Sequence, residues 1–125
     1  MTKGKNIASW VIQLAVAGLF FVMSFPKLMS NPETVANFVR WGLPSPMHLV
    51  IGGFELLGAI GLLIPRTSAM AALGLILIMI GALFTHIIHA EMMMTLLPLV
   101  VILLLGFVIY VRNPFYRLEP IATAE

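Results

Sequence analysis

Glu55 is the only charged residue in the apolar run Met47 to Ile64, MHLVIGGFELLGAIGLLI. An acid in the middle of such a run is costly to desolvate, and within a bilayer it marks a functional site by default. Its chemistry would be proton acceptance or capture of a ligand's polar group. The plainer reading is a structural acid that pairs with Lys27 or a hydroxyl and locks two helices. Lys27 is either that partner or a lysine that snorkels to the interface. His86 is a candidate acid-base group, or a histidine that simply finishes a helix. His86-x-x-His89, Glu91 and the run Met92-Met93-Met94 resemble a soft-metal ligand set. Methionine is also common apolar filler, and His89 is expected near the helix end, so the reading is no resident metal, with His86 and His89 as its only candidates. Haem ligation by His86 lacks an opposing axial ligand.

Composition restricts the class. The 125-residue chain is 61% hydrophobic and 10% charged, against about 25% charged for an ordinary soluble domain. It is read as a single transmembrane domain covering 1–125. Net charge is +2 and there is no basic cluster, so no nucleic acid is expected as a partner. The absence of cysteine removes disulfides and every thiol mechanism. No phosphate loop or nucleophile elbow occurs.

The elements that must position these residues follow from hydropathy. A first span is expected over about 7–28, with Trp10 near one interface. Gln13, Ala17, Phe20, Ser24 and Lys27 recur at spacings of four and three, so they share a helix face turned toward protein. Pro26 is expected to bend or end this helix. The next segment is too polar to cross. Asn31-Pro32-Glu33 is a helix start, and a short interfacial helix is expected over about 32–41, roofing the bundle with Trp41 at its end. Further spans are expected at about 46–64, 67–89 and 95–111, the last one the most exposed to lipid, with a tail over 112–125. Gly52, Gly58, Ala59 and Leu62 surround Glu55 on its face, where small residues admit a neighbouring backbone. The fold class expected is therefore an all-α membrane protein, a four-transmembrane-helix bundle with one extra short interfacial helix between helices 1 and 2.

Lys3, Lys5, Arg66, Arg112 and Arg117 fall at one end of this arrangement, and Lys27 and Arg40 at the other. The positive-inside rule then puts both termini in the cytoplasm and the chain in the cytoplasmic (inner) membrane. At about 1.5 Å per residue, Glu55 sits about 13 Å in from the outer end of its helix. Lys27, Glu55 and His86 are expected to converge on one outward-facing cavity under the interfacial helix.

The order Phe25-Pro26-Lys27-Leu28, Pro32-Glu33-Thr34-Val35, Trp41-Gly42-Leu43-Pro44, Gly52-Gly53-Phe54-Glu55 and Gly81-Ala82-Leu83-Phe84-Thr85-His86 resembles the DoxX and DoxX-like membrane protein family. The resemblance runs from the first helix to Arg112. It implies a small four-helix membrane protein in which Lys27, Glu55 and His86 hold the recurring polar positions. It also implies association with membrane oxidoreductases, since the family name comes from a subunit of a thiosulfate:quinone oxidoreductase. The expected bundle is similar to the core of vitamin K epoxide reductase, whose mechanism requires cysteines and is excluded here.

Three functions fit these residues. The first is a subunit or accessory of a membrane oxidoreductase that binds a quinone-like or other small apolar ligand through Glu55, His86, Lys27, Ser24 and Trp41. No cofactor of its own is evident beyond such a quinone, so a membrane or redox protein partner is expected. The second, nearly as well supported, is a non-enzymatic ligand-binding or assembly protein, whose polar cluster fixes the bundle. The third is a small proton-coupled transporter, which would have to form homo-oligomers. The sequence leaves open whether the protein is an enzyme.

Overall fold

A computed structural model describes residues 3–112, and these residues contain helices and no strand. Helix α1 spans Lys3–Leu28, α2 Pro32–Arg40, α3 Met47–Leu62, α4 Ser68–Ile88 and α5 Leu96–Arg112, with a single 3₁₀ turn, Met92–Thr95, leading into α5. The tail, including Tyr116 and Arg117, lies outside the described residues apart from Arg112, which is the last residue of α5.

Three stretches are long and apolar enough to cross a membrane: α1, α4 and the continuous segment Met92–Arg112. Helix α3 is apolar but has only 16 residues, about 24 Å of rise against a hydrocarbon core of roughly 30 Å. It stops at Leu62 because Pro65 follows; Leu63 and Ile64 turn back through Leu63 N–H to Ile60 O and Ile64 N–H to Gly61 O. Pro26 does not end α1, which runs on to Leu28.

The four apolar helices pack in the cyclic order α1, α3, α4, α5. Their shared core joins Val16, Ala17 and Phe20 of α1 to Ala59 and Leu62 of α3, Leu75 and Met79 of α4, and Val101, Leu105 and Val108 of α5. Each set recurs at helical spacing, which is why one face of each helix is buried. Gly58 brings α3 close to α4, since a Cβ there would stand 2.5 Å from Leu75 Cδ2. The outward faces carry Val11, Val22, Phe54, Leu77 and Leu103 in the open, an exterior suited to lipid. The last helix is not the most exposed: 22% of its apolar window is buried against 17% for α4. Val101, Leu105 and Val108 form a buried stripe that its uniform apolar composition concealed.

Three helices end alike at the Lys27 end of the bundle. Helices α1, α2 and α4 each place a left-handed residue just past the cap: Ser30 (φ 52°), Gly42 (φ 81°) and Ala90 (φ 57°). Their backbones close as Schellman motifs, with Asn31 N–H to Pro26 O, Leu43 N–H to Phe38 O and Glu91 N–H to His86 O. The first delivers Asn31, whose side chain accepts from Glu33 N–H and starts α2. The third delivers Glu91 over the end of its own helix.

Candidate functional site

The face of α1 predicted from polar spacing is buried: Gln13, Ala17, Phe20 and Ser24 are each at most 2% exposed. One turn beyond Ser24, the Lys27 Nζ reaches across to α3 and stands 2.9 Å from Glu55 Oε1, while donating to Met23 O at 3.0 Å. Gly52, one turn before Glu55, makes room for the lysine stem. The Glu55 side chain is 1% exposed, and Oε1 has no well-directed hydrogen bond among the described residues. The ammonium therefore balances its charge without completing its hydrogen bonding.

A cavity of about 680 Å³ opens beside this pair. Its walls include Met23, Ile51, Ile78, Met79, Ala82 and Leu97, with Lys27, Glu55, Thr85 and His86 as polar members and Thr34, Asn37, Phe38 and Trp41 from the α2 segment. That volume is in the range of small-molecule sites.

Helix α2 is held over the cavity by Glu91. Its Oε2 accepts from Arg40 Nη1 at 2.7 Å, and its Oε1 accepts from Trp41 Nε1 at 2.9 Å and lies 3.1 Å from His86 Nδ1. The Trp41 and His86 rings meet edge to face, 5.4 Å between centroids. Arg40 above all, with His86 next, holds the Glu91 carboxyl down from 4.5 to about 2, so it is ionised across the physiological range.

Of the residues singled out from sequence, Lys27, Glu55, His86 and Trp41 all line this cavity. Ser24 does not; its hydroxyl bonds Phe21 O on its own helix. His89 turns away from His86 and donates from Nδ1 to Thr85 O at 2.8 Å. Among the described residues no three His, Asp or Glu side chains gather as a metal site, because Glu91 is held by Arg40, Trp41 and His86.

Three contributors escaped the sequence reading. Glu91 was legible only as a metal ligand, yet its position opposite two basic or N–H-bearing residues of α2 was a charge-complementarity signal. His48 is buried, with Nε2 3.0 Å from Ser30 Oγ and its ring against Phe38, so it ties the α1–α2 connection to α3. At the opposite end, Arg112 is buried and donates to Gln13 Oε1 at 2.9 Å and Asn6 Oδ1 at 2.7 Å, with its guanidinium over Trp10. Gln13 in turn donates to Leu62 O at 2.6 Å, capping α3.

An all-helical bundle with an apolar exterior and a buried ion pair beside a cavity defines a class, the small polytopic membrane proteins. The chain belongs to the DoxX-like family, whose model matches residues 11–108. That stretch contains Lys27, Glu55, His86 and Glu91. No curated protein and no solved structure matches the chain.

Proposed function

We propose that this DoxX-like protein crosses the cytoplasmic (inner) membrane four times, with both termini in the cytoplasm, and binds a small apolar, quinone-like molecule in the Lys27–Glu55–His86 cavity as a subunit or accessory of a membrane oxidoreductase system. The observation that carries this reading is a buried carboxylate, paired with Lys27 but with one oxygen lacking a directed hydrogen bond, in the wall of a largely apolar cavity. Such a cavity takes up apolar surface, and a few polar groups orient what enters. The orientation rests on Lys3, Lys5, Arg66 and Arg112 at one end against Lys27 and Arg40 at the other.

Mass spectrometry of lipophilic molecules extracted from gently purified protein tests the ligand. A quinone or similar molecule retained by the wild type and lost from Glu55→Gln supports the proposal, and two empty, folded proteins refute it. The chain has no cysteine, so single cysteines at Asn37 and Arg66 test the orientation. A membrane-impermeant maleimide applied to intact cells should label the first and spare the second. A non-enzymatic assembly role is the second reading, favoured by the way the 2.9 Å Lys27–Glu55 contact ties α1 to α3.

A further inference from the structure

We infer that the cavity selects a hydroxyl-bearing apolar ligand (an alcohol, phenol or quinol) whose O–H is donated to His86 Nε2, and that Glu91 is the positioning residue that keeps this nitrogen an acceptor. The inference rests on the proposed apolar ligand and narrows its chemistry.

Glu91 takes hydrogen bonds from Arg40 Nη1 and Trp41 Nε1 while facing His86 Nδ1. An ionised carboxylate only accepts, so Nδ1 must carry the hydrogen. In the neutral imidazole, the form proposed to bind the ligand, there is one N–H and Nε2 is left with a lone pair; the imidazolium would carry an N–H there instead. Nε2 has no partner among the described residues, and His86 lines the cavity. Glu55 adds a second acceptor in the same wall, 1% exposed and without a directed hydrogen bond on Oε1.

Thr34 and Asn37 line the α2 side of the cavity, while the donors of the wall that carries His86 are largely engaged. Trp41 Nε1 points at Glu91 and Thr85 Oγ1 at Gly81 O. Lys27 Nζ directs two of its three N–H groups to Met23 O and the Glu55 carboxylate. The wall thus presents, at His86 Nε2, an acceptor with no donor among the described residues. A hydroxyl supplies one to His86 Nε2, whereas the matching ether leaves that nitrogen without a partner from the ligand. Placing a carboxylate behind the imidazole also strengthens Nε2 as an acceptor.

The test uses 4-tert-butylcyclohexanol and its methyl ether, two probes of one skeleton that differ in the O–H. In Trp10→Phe protein, Trp41 at the cavity is the sole tryptophan of the two in the chain, and its emission reports binding in nanodiscs, corrected for partition into empty discs. The alcohol should bind about tenfold more tightly than the ether. His86→Phe should reduce the alcohol to the level of the ether and leave the ether unchanged. ¹⁵N spectra of histidine-labelled protein should show His86 as the Nδ1–H tautomer, and Glu91→Gln should mix the tautomers and shrink the preference for alcohol. A Glu91 that merely holds α2 in place would leave the tautomer unmoved. Equal affinity for the two probes, or a hydrogen on His86 Nε2 in the wild type, whether as the other tautomer or as imidazolium, overturns the inference and leaves the apolar cavity standing. No saturable binding of either probe overturns the cavity reading along with it.

Discussion

Gly52 of α3 packs directly against Lys27 of α1: a Cβ on Gly52 would lie 2.8 Å from Lys27 Cβ and 3.3 Å from Leu28 Cγ. The atom in the way is the first carbon of the lysine side chain, which cannot move without its helix. Gly52→Ala should therefore push α1 from α3 and lower stability by about 1–3 kcal/mol. Unfolding in mixed SDS–detergent micelles measures this. An unchanged midpoint would mean that the two helices do not meet so closely.

Removing one partner of the Lys27–Glu55 pair should cost more than removing both. Lys27→Met leaves a bare carboxylate in an apolar wall, and about 3–5 kcal/mol is the expected penalty. Lys27→Met combined with Glu55→Leu should recover most of it. The same unfolding assay distinguishes these outcomes, and equal losses in the single and double variants would show that the charges do not interact.

The Glu91 clasp predicts an acid transition. Its carboxyl is held down to about 2 from an ordinary 4.5, first by Arg40 and then by His86. A depressed carboxyl stabilises the fold fully above the unfolded value, and the contribution is lost as pH falls from about 4.5 toward 2. Trp41 emission in Trp10→Phe protein should shift to the red over that window. Glu91→Gln should abolish the shift, and constant wild-type emission down to pH 2 would refute the clasp.

Ala90 adopts a left-handed conformation at φ 57°, which costs a side-chain-bearing residue about 1–2 kcal/mol. Ala90→Gly relieves this and loses part of the gain to a more flexible unfolded chain. A net stabilisation of about 0.5–1 kcal/mol is expected from these two effects. Thermal denaturation of the pair checks it; a lower midpoint in the glycine variant would contradict the cap assignment.

Local signals were the readable part of this chain. Asn31-Pro32-Glu33 starts α2 through atoms two residues apart, and the α1 stripe follows from helical period alone. The convergence of Lys27, Glu55 and His86 was legible because polar side chains in apolar helices have few places to go. Contacts between distant segments were not. Arg112 bonds Gln13 and Asn6 across 99 and 106 residues. At a helix end it reads as a flanking charge, and only the packing of α5 beside α1 draws it inward. Ser24 shows the opposite failure: it lies on the right face, but a serine in a helix readily bonds its own backbone.

The Arg40–Glu91 and Trp41–Glu91 contacts also impose an order on assembly. Helix α2 leaves the ribosome 51 and 50 residues ahead of the carboxylate that anchors it. Until α4 and its following turn are in place, α2 has no clasp and the cavity has no roof. A chain truncated before Glu91 should leave Trp41 open to aqueous quenchers, whereas the full chain shields it. The roof is thus one of the first parts of the cavity to be made and waits for its clasp, and the wall that contains Leu97 of α5 follows only after Glu91.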